Sequence, residues 1–286
     1  MTMNEMSRKK QNKKNVDMVS VLLRGSVLFA AGVTVAVLAF ILLYIVIRGV
    51  PHVSPKLFSF EYNSSNLSLM PALVNTILIA AISLLFAVPV GVCSAIYLVE
   101  YAKRGNKVVG IIRVTSETLS GIPSIVYGLF GMLFFVTALN WKLSILSGAA
   151  TLAIMVLPLI MRTTEEALKA VPDSYREGSF GLGAGRLRTV FRIVLPAAAP
   201  GILSGIILSI GRIVGESAAL IFTAGSVAEL PKSLFDSGRT LAVHLYNLSS
   251  EGLHVNEAFA TAVVLLVIVV FINWGSRRLV KRLTKA

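Results

Sequence analysis

The sequence predicts an all-α membrane protein, a polytopic helical bundle with six transmembrane helices. Of the 286 residues, 55% are hydrophobic and only 14% are charged, whereas soluble domains have about 25% charged residues. The mean hydropathy of +0.79 is far above the soluble range. The charges also lie between uncharged runs of roughly 20 residues, the helical length that crosses a bilayer core of about 30 Å.

Six apolar runs are the candidate spans. The first is too long for a cleaved signal peptide and is interpreted as a retained anchor. The third and fourth are separated by a tight turn at Asn140-Trp141-Lys142. The fifth is interrupted by two charges. The runs extend from Arg24 to Arg48, Leu73 to Val99, Leu119 to Leu139, Leu143 to Met161, Gly201 to Ala224 and Ala258 to Trp274.

The distribution of Lys and Arg predicts the orientation, because basic loops stay on the cytoplasmic side. Both termini and the second-to-third and fourth-to-fifth connections are rich in basic residues. We therefore expect a multi-pass protein of the cytoplasmic (inner) membrane with both termini in the cytoplasm. The net charge of +13 then reflects loops beside an anionic leaflet and not nucleic-acid binding, since no basic helix interleaves with aromatic residues outside the membrane.

The predicted organisation follows from these spans. No metal site is expected, because Cys93 is alone and the three histidines lack ligand spacing. On the side opposite the basic loops, the connection from Gly225 to Glu257 has room for a short amphipathic helix around Leu234 to Tyr246. The predicted units are a basic cytoplasmic tail over 1–20, a first transmembrane helix over 21–48, a transmembrane domain over 72–280 with a cytoplasmic loop at 162–196, and a basic tail over 281–286.

The fourth-to-fifth connection carries a spaced motif. A helix is expected to start at Val171-Pro172-Asp173, since proline suits a first turn and aspartate favours the positive helix end. Gly181 and Gly183 permit a sharp reversal. Pro196 and Pro200 are expected to mark a change of direction into the fifth span. The motif anchors are Glu177, Gly178, Ser179, Gly183, Ile193, Leu195 and Pro196.

Two charges, Arg212 and Glu216, interrupt the fifth run. If the helix starts near Gly201, Arg212 lies about 16 Å deep, where each charge costs about 2.5–3.5 kcal/mol. The i, i+4 spacing would place both on one helix face. Two interpretations remain open: a mutually neutralising ion pair, or an Arg212 that contacts an anion in transit while Glu216 restrains or releases it.

Small residues and a proline suggest further features of the spans. Gly201-x-x-x-Gly205 and Gly211-x-x-x-Gly215 allow close helix approach, either within the bundle or against a second subunit. Pro123 frees a backbone carbonyl, and a helix break in a membrane is tolerated where it is buried or lines a cavity. Ser124 and Tyr127 could donate hydrogen bonds to an oxyanion, or simply pack near a helix end.

Three segments resemble a known family. The motif from Glu177 to Pro196 resembles the cytoplasmic EAA loop of bacterial ABC-importer permeases, with Gly178-Ser179 in place of two alanines. Gly211-Arg-Ile-Val-Gly-Glu-Ser-Ala-Ala-Leu220 and Gly121-Ile-Pro-Ser-Ile-Val-Tyr-Gly-Leu-Phe-Gly131 are similar to segments of the PstA-type permeases of phosphate importers. One departure is Ala219, where that family usually has proline.

The resemblance implies an ABC-importer permease fold of type I (MetI-like) and import of inorganic phosphate driven by ATP. It implies a homologous second permease (PstC type), a dimer of ATPase subunits (PstB type) and an extracytoplasmic phosphate-binding protein (PstS type). ATP and magnesium would lie on the ATPase, so this chain is expected to hold no cofactor and to be no enzyme. In agreement, the sequence has no Gly-Lys pair for a phosphate-binding loop.

The resemblance also assigns roles to residues. The motif anchors would couple the chain to the ATPase.

The alternative to phosphate import is import of sulfate or molybdate by the same kind of importer. An intramembrane hydrolase would need a nucleophile and base at depth, and an ion channel would leave the basic loop without a purpose. The residues expected along the substrate path are Arg212, Glu216, Ser217, Pro123, Ser124 and Tyr127.

Overall fold

The computed structural model describes residues 3–63, 66–103 and 105–283, and every regular element within these ranges is a helix. The ends of the predicted tails, residues 1–2 and 284–286, lie outside the described residues. The α-helices are α1 Met3–Gly49, α2 Met70–Ile96, α3 Lys107–Ser120, α4 Ser124–Gly131, α5 Ile145–Lys169, α6 Asp173–Gly181, α7 Arg186–Thr189, α8 Leu195–Val214, α9 Ala218–Ile221, α10 Leu241–Glu251 and α11 Val255–Leu283.

Shorter helical turns connect or extend these elements. Two 3₁₀ turns follow α1, at Val50–His52 and Pro55–Phe58. Three wider π turns continue α2, α4 and α7, and they span Tyr97–Tyr101, Met132–Ala138 and Val190–Val194. Such turns often occur where a regular helix is locally disturbed.

Within the described ranges, five helical segments are long and apolar enough to cross a membrane. A sixth span is obtained if α3 and the α4 segment, which are bent by 103° at their junction, count as one broken span. The expected number of six spans is met on that count. The five unbroken segments are Met18–His52, Met70–Tyr101, Ile145–Lys169, Arg186–Val214 and Val255–Arg278.

The third span differs from the continuous run that the sequence predicts. The helix breaks at residues 121–123, and α3 occupies much of the preceding basic connection. Asn106 caps α3, because its side chain accepts a hydrogen bond from the Val108 N–H at 3.0 Å. Val109 on one side of α3 is buried, whereas Val108 and Ile111 on the other are exposed. Helical spacing of apolar residues after an asparagine is the signal that could have predicted α3.

The fifth span is also shifted from its expected position. The prediction of a run from Gly201 to Ala224 is wrong at both ends, because the helix extends from Arg186 to Val214. The expected change of direction at Pro196 and Pro200 is likewise absent. Pro196 is the second residue of α8 and directly follows a π turn, so the helical hydrogen-bonding pattern changes where proline cannot donate an N–H.

The core is built around α5, which packs against α2 and α8. The largest buried apolar side chains of α5 include Ile145, Leu152 and Ile160. Gly201 brings α8 close to α5, since a Cβ built there would lie 2.7 Å from the Ala167 Cβ. By contrast, no atom of another described segment lies within 4 Å of a Cβ built on Gly211. The first small-residue pair therefore packs within this chain, and the second remains available to another surface.

The outer parts of the bundle are less buried. Most apolar side chains of α1 are exposed, and this helix packs on α11, where the Tyr44 and Phe259 rings lie 5.7 Å apart. The tight turn predicted at Asn140 and Lys142 is confirmed, with φ of 55° and 58°. The short helix expected around Leu234 to Tyr246 exists as α10 but begins and ends later in the sequence.

Candidate functional site

The connection between α5 and α8 forms a compact helical hairpin, called here the coupling loop (residues 170–194). As the sequence predicts, α6 begins at Asp173 directly after Pro172. The reversal at Gly183 is confirmed, because this residue has φ of +82°, a conformation that costs other residues energy. α7 then starts at Arg186 and leads through a π turn into α8.

Arg176 attaches α6 to the ends of two spans. Its Nη2 donates to Glu100 Oε1 at 2.7 Å and to the Leu168 carbonyl at 2.9 Å. Its Nη1 donates to the Val171 carbonyl at 2.8 Å and to Asp173 Oδ1 at 3.2 Å. The hydrogen bond to Glu100 raises the pKa of Arg176, against the opposing effect of burial. One charged side chain therefore joins α6, the end of α5 and the π turn that ends α2.

The contact between Arg176 and Glu100 was not predictable from a local pattern. The two residues are 76 positions apart in the sequence, and neither belongs to the spaced motif. Their side chains are only 14% and 8% exposed, so the pair is largely removed from water. Breaking such a pair leaves a buried charge without its partner, which typically costs about 3–5 kcal/mol.

We expect Arg176→Ala to destabilise the chain by about 3 kcal/mol, because Glu100 would remain buried without its cation. The test is the thermal midpoint of the purified protein in lipid nanodiscs, measured for each single variant and for Arg176→Ala with Glu100→Ala. The double variant should lose less stability than the sum of the single variants. Arg188→Ala is the matched control, since Arg188 is exposed in the same loop. An additive double variant would contradict the linkage.

The motif anchors divide between the inside and the outside of the coupling loop. Ser179 is 5% exposed, and its hydroxyl pairs with that of the buried Thr189 at 2.8 Å. Leu195 packs against the buried apolar cluster at this end of the bundle, whereas Pro196 is exposed and Ile193 is half-buried. Small size at Ser179 is thus required by the loop's own packing.

Glu177 and Gly178 face outward. Both are exposed, and no atom of the described chain lies within 4 Å of a Cβ built on Gly178. Nothing in this chain therefore requires a small residue at that position. Next to them lies Leu182, which is 91% exposed at the tip of the loop, and Tyr175 and Phe180 are about half exposed. An apolar surface of this kind typically meets another macromolecule.

A second candidate region lies where two helices break. The break between α3 and α4 covers residues 121–123, and the break between α8 and α9 covers residues 215–217. α4 packs directly on α9, since a Cβ built on Gly128 would lie 2.8 Å from the Ala219 Cα. The two breaks thus belong to one junction of helix ends, called here the break junction.

Tyr127 holds the first break together. Its side chain is 4% exposed, and its hydroxyl donates to the Leu119 carbonyl at 2.8 Å. The expectation that this hydroxyl donates to an oxyanion is not met here, because its proton is already used within the chain. Pro123 directly precedes α4, and Ser124 is the half-buried first residue of that helix.

Arg212 lies in the last turn of α8, two residues before that helix ends at Val214. It is half-buried and interacts electrostatically with the Tyr127 hydroxyl. Across the part of the chain that the structure describes, Arg212 forms no hydrogen bond or ion pair. Among the described residues, the guanidinium of Arg212 is thus left without a counter-ion.

Of the two interpretations left open for Arg212 and Glu216, the mutually neutralising ion pair is not found among the described residues. The two residues do not share a helix face, because α8 ends at Val214. Glu216 instead accepts a hydrogen bond at Oε1 from the Ala219 N–H at 3.2 Å. A proline at position 219 could not donate this bond. Ser217 follows Glu216 in the break between α8 and α9, and its carbonyl accepts two backbone hydrogen bonds from α9.

A helical bundle with five or six potential spans, a hairpin loop at its basic end and a junction of broken helices is the architecture of a membrane permease. The chain belongs to the family of binding-protein-dependent transport system inner membrane components, whose family model matches residues 87–285. Its family and fold are those of the MetI-type permeases of ABC importers.

Known relatives give the same family. The chain is 34% identical over 300 residues to the probable ABC transporter permease protein YqgI of Bacillus subtilis (strain 168), covering 96% of this chain and 99% of that protein. It is 35% identical over 205 residues to the phosphate transport system permease protein PstA 1 of Mycobacterium tuberculosis (strain CDC 1551 / Oshkosh), covering 71% and 67% respectively.

Solved structures agree in fold. A bacterial alginate ABC transporter, in complex with an alginate pentasaccharide-bound periplasmic protein, matches with a TM-score of 0.64 over 90% of this chain and 96% of the other. The inward-facing MetNI methionine ABC transporter matches with a TM-score of 0.59 over 75% and 94%. Both are 19% identical in sequence, so these matches concern the fold alone.

Proposed function

We propose that this chain is the permease subunit of an ABC importer for inorganic phosphate. The observation that carries the proposal is the guanidinium of Arg212 at the break junction, which has no ion-pair or hydrogen-bond partner among the described residues. A charge without a counter-ion is expensive in a membrane and is typically retained for function. An anion in transit would supply the missing partner of Arg212.

The choice of phosphate is supported by relatives and not by geometry. Three relatives of this chain, 33–35% identical, are named as phosphate transport system permeases or their homologues. Sulfate and molybdate are tetrahedral oxyanions of similar size, and an arginine alone would bind all three. Import of sulfate or molybdate is therefore the second candidate.

The coupling loop would dock on a separate ATPase. Its exposed face combines Glu177, the open position at Gly178 and the apolar tip at Leu182, which suits a protein partner. In this arrangement the basic end of the bundle faces the cytoplasm, with an ATPase dimer below it. A homologous second permease would complete the path, and an extracytoplasmic binding protein would deliver the anion to the opposite end.

The contacts of Arg176 suggest how movement reaches the spans. Closure of the ATPase dimer would displace α6, and the hydrogen bonds of Arg176 would pass this displacement to the ends of α2 and α5. The pore would then change from inward-facing to outward-facing. Phosphate would pass between the two permeases and leave toward the cytoplasm after hydrolysis on the partner. This chain would provide the path and catalyse no bond cleavage.

The direct test is anion uptake by cells that lack this gene, with and without the gene restored. We expect the deletion to lower the uptake of radiolabelled phosphate at micromolar concentration by at least tenfold, and the restored gene to recover it. Sulfate and molybdate uptake serve as controls and should be unchanged. Loss of sulfate or molybdate uptake with normal phosphate uptake would instead favour the second candidate.

A further inference from the structure

A cavity of about 740 Å³ opens at the basic end of the bundle, beside the coupling loop. Its walls come from the π turn that ends α2, the first half of α3, and α6. Among its lining residues the acidic side chains are Glu100 and Asp173. Its basic lining residues are Lys103, Arg113, Lys169, Arg176 and Arg186.

Three of the basic side chains already have carboxylate partners. Arg176 is bound to Glu100, as described above. Arg113 and Lys169 both bind Glu165, each at 2.7 Å. One buried carboxylate thus serves two cations.

Lys103 and Arg186 are the exceptions. Neither forms an ion pair with any carboxylate in the described part of the chain. Arg186 is exposed and lies over the Tyr101 ring, 5.9 Å from its centroid. The cavity therefore has an excess of positive charge that this chain does not neutralise.

The cavity is also open at the positive end of a helix. Asn106, the capping residue of α3, lines it together with Gly105 and Gly110. No atom of the described chain lies within 4 Å of a Cβ built on either glycine. This leaves room for a group to approach the backbone. α3 has 14 residues, and its dipole favours an anion at this end.

The position of α3 indicates the depth of the cavity. Val108, Ile111 and Val114 lie three residues apart and are each about 60% exposed, so they form an apolar stripe along one side of α3. A basic helix with such a stripe typically lies in the membrane interface, with its apolar side toward the acyl chains. The cavity on the other side of α3 then opens at the level of lipid headgroups.

We propose that this cavity binds a phosphate group at the basic membrane surface. The group is either the phosphodiester of an anionic lipid headgroup or free inorganic phosphate from the same side. A bound phosphate would contact Lys103, Arg186 and the start of α3 together. It would thereby hold the coupling loop against the ends of the spans. No residue of the break junction lines this cavity, and phosphate binding here does not depend on which anion is transported.

The experiment uses the purified importer complex. It compares the wild type with the double variant that carries both Lys103→Gln and Arg186→Gln. Complexes are placed in phosphatidylcholine nanodiscs with or without phosphatidylglycerol, and the apparent affinity for phosphatidylglycerol is measured by native mass spectrometry. In pure phosphatidylcholine, inorganic phosphate is titrated against the thermal midpoint, also in an Arg212→Ala background. The control double variant is Lys56→Gln with Lys232→Gln, which removes two exposed cations that do not line the cavity and belong to connections on the side opposite the basic loops.

Each cation near an anionic surface contributes about fivefold in affinity, so the double variant should bind about 25-fold more weakly. Lys103→Arg with Arg186→Lys should retain binding, and the control should behave as the wild type. If the occupant is a lipid, the double variant should lose affinity for phosphatidylglycerol. If the occupant is a free anion, the double variant should lose affinity for inorganic phosphate. The proposal is overturned if neither probe binds, or if the double variant or the control departs from these expectations. None of these readouts requires transport, so they are independent of the proposed function.

Discussion

Glu177→Lys is expected to abolish phosphate uptake by the importer while leaving this chain folded in the membrane. Glu177 is exposed on α6, so reversing its charge removes no contact within the chain. On the docking face proposed for the coupling loop, Glu177 would face a cation of the ATPase, and the same change would place a like charge opposite that cation. Like-charge contacts at an interface cost several kcal/mol, and we expect at least a hundredfold loss of co-purifying ATPase.

The measurement is the amount of ATPase retained when this chain is purified by affinity tag, together with the stimulated rate of ATP hydrolysis. Glu251→Lys is the matched control, because Glu251 is equally exposed but lies at the end of α10, remote from the coupling loop in the sequence. Unchanged retention and unchanged hydrolysis in Glu177→Lys would count against the docking role.

Substitutions at Gly183 test whether charge or backbone conformation at the tip of the coupling loop matters for ATPase docking. Its φ of +82° is tolerated by asparagine and aspartate better than by other residues. Gly183→Asn and Gly183→Asp therefore strain the backbone to a similar degree but differ in charge. If only the aspartate variant loses the ATPase, charge at the tip is responsible, whereas equal losses would assign the effect to the turn itself.

The parts of the molecule that the sequence predicts well depend on local chemistry. The start of α6 after Pro172 and the reversal at Gly183 each follow from the backbone preference of a single residue. The long apolar runs give the spans, because the bilayer fixes their length. These features need no knowledge of what packs against them.

The parts that were not predictable depend on contacts between distant segments. Gly215 ends α8 in the middle of an apolar run, where hydropathy alone predicts a continuing helix. The break is stabilised from outside that run, because α9 packs on α4 at Gly128. The same holds for Arg176 and Glu100, whose contact joins segments that are far apart in the sequence. Patterns in a single segment cannot reveal such pairings.

These tertiary contacts change the meaning of the two charges in the fifth run. With a continuous helix, Arg212 and Glu216 could neutralise each other and need no further explanation. In the structure Glu216 is hydrogen-bonded to the Ala219 N–H, and Arg212 has no such partner in the described chain. A bonding partner within the described chain therefore accounts for the carboxylate of Glu216 but not for the guanidinium of Arg212.

Arg212→Ala should consequently abolish phosphate uptake, by at least a hundredfold, without loss of assembly. Removing a charge that has no partner costs the fold nothing, and it relieves a penalty of about 2.5–3.5 kcal/mol if the site lies at mid-membrane depth. Arg212→Lys keeps the charge but not the two-pronged geometry that suits an oxyanion, so it should retain partial uptake. Arg162→Ala is the matched control, because it removes an exposed arginine that forms a surface ion pair with Glu166.

The assay is phosphate uptake into proteoliposomes that contain the full importer, with ATPase retention measured on the same samples. Because Glu177→Lys acts on docking and Arg212→Ala on the path, the two variants should fail differently. The first should lose the ATPase, and the second should retain it together with basal hydrolysis. Normal uptake by Arg212→Ala would exclude a transport role for this residue. Loss of the ATPase from that variant would instead show that its guanidinium supports assembly, and the anion path would have to lie elsewhere in the bundle.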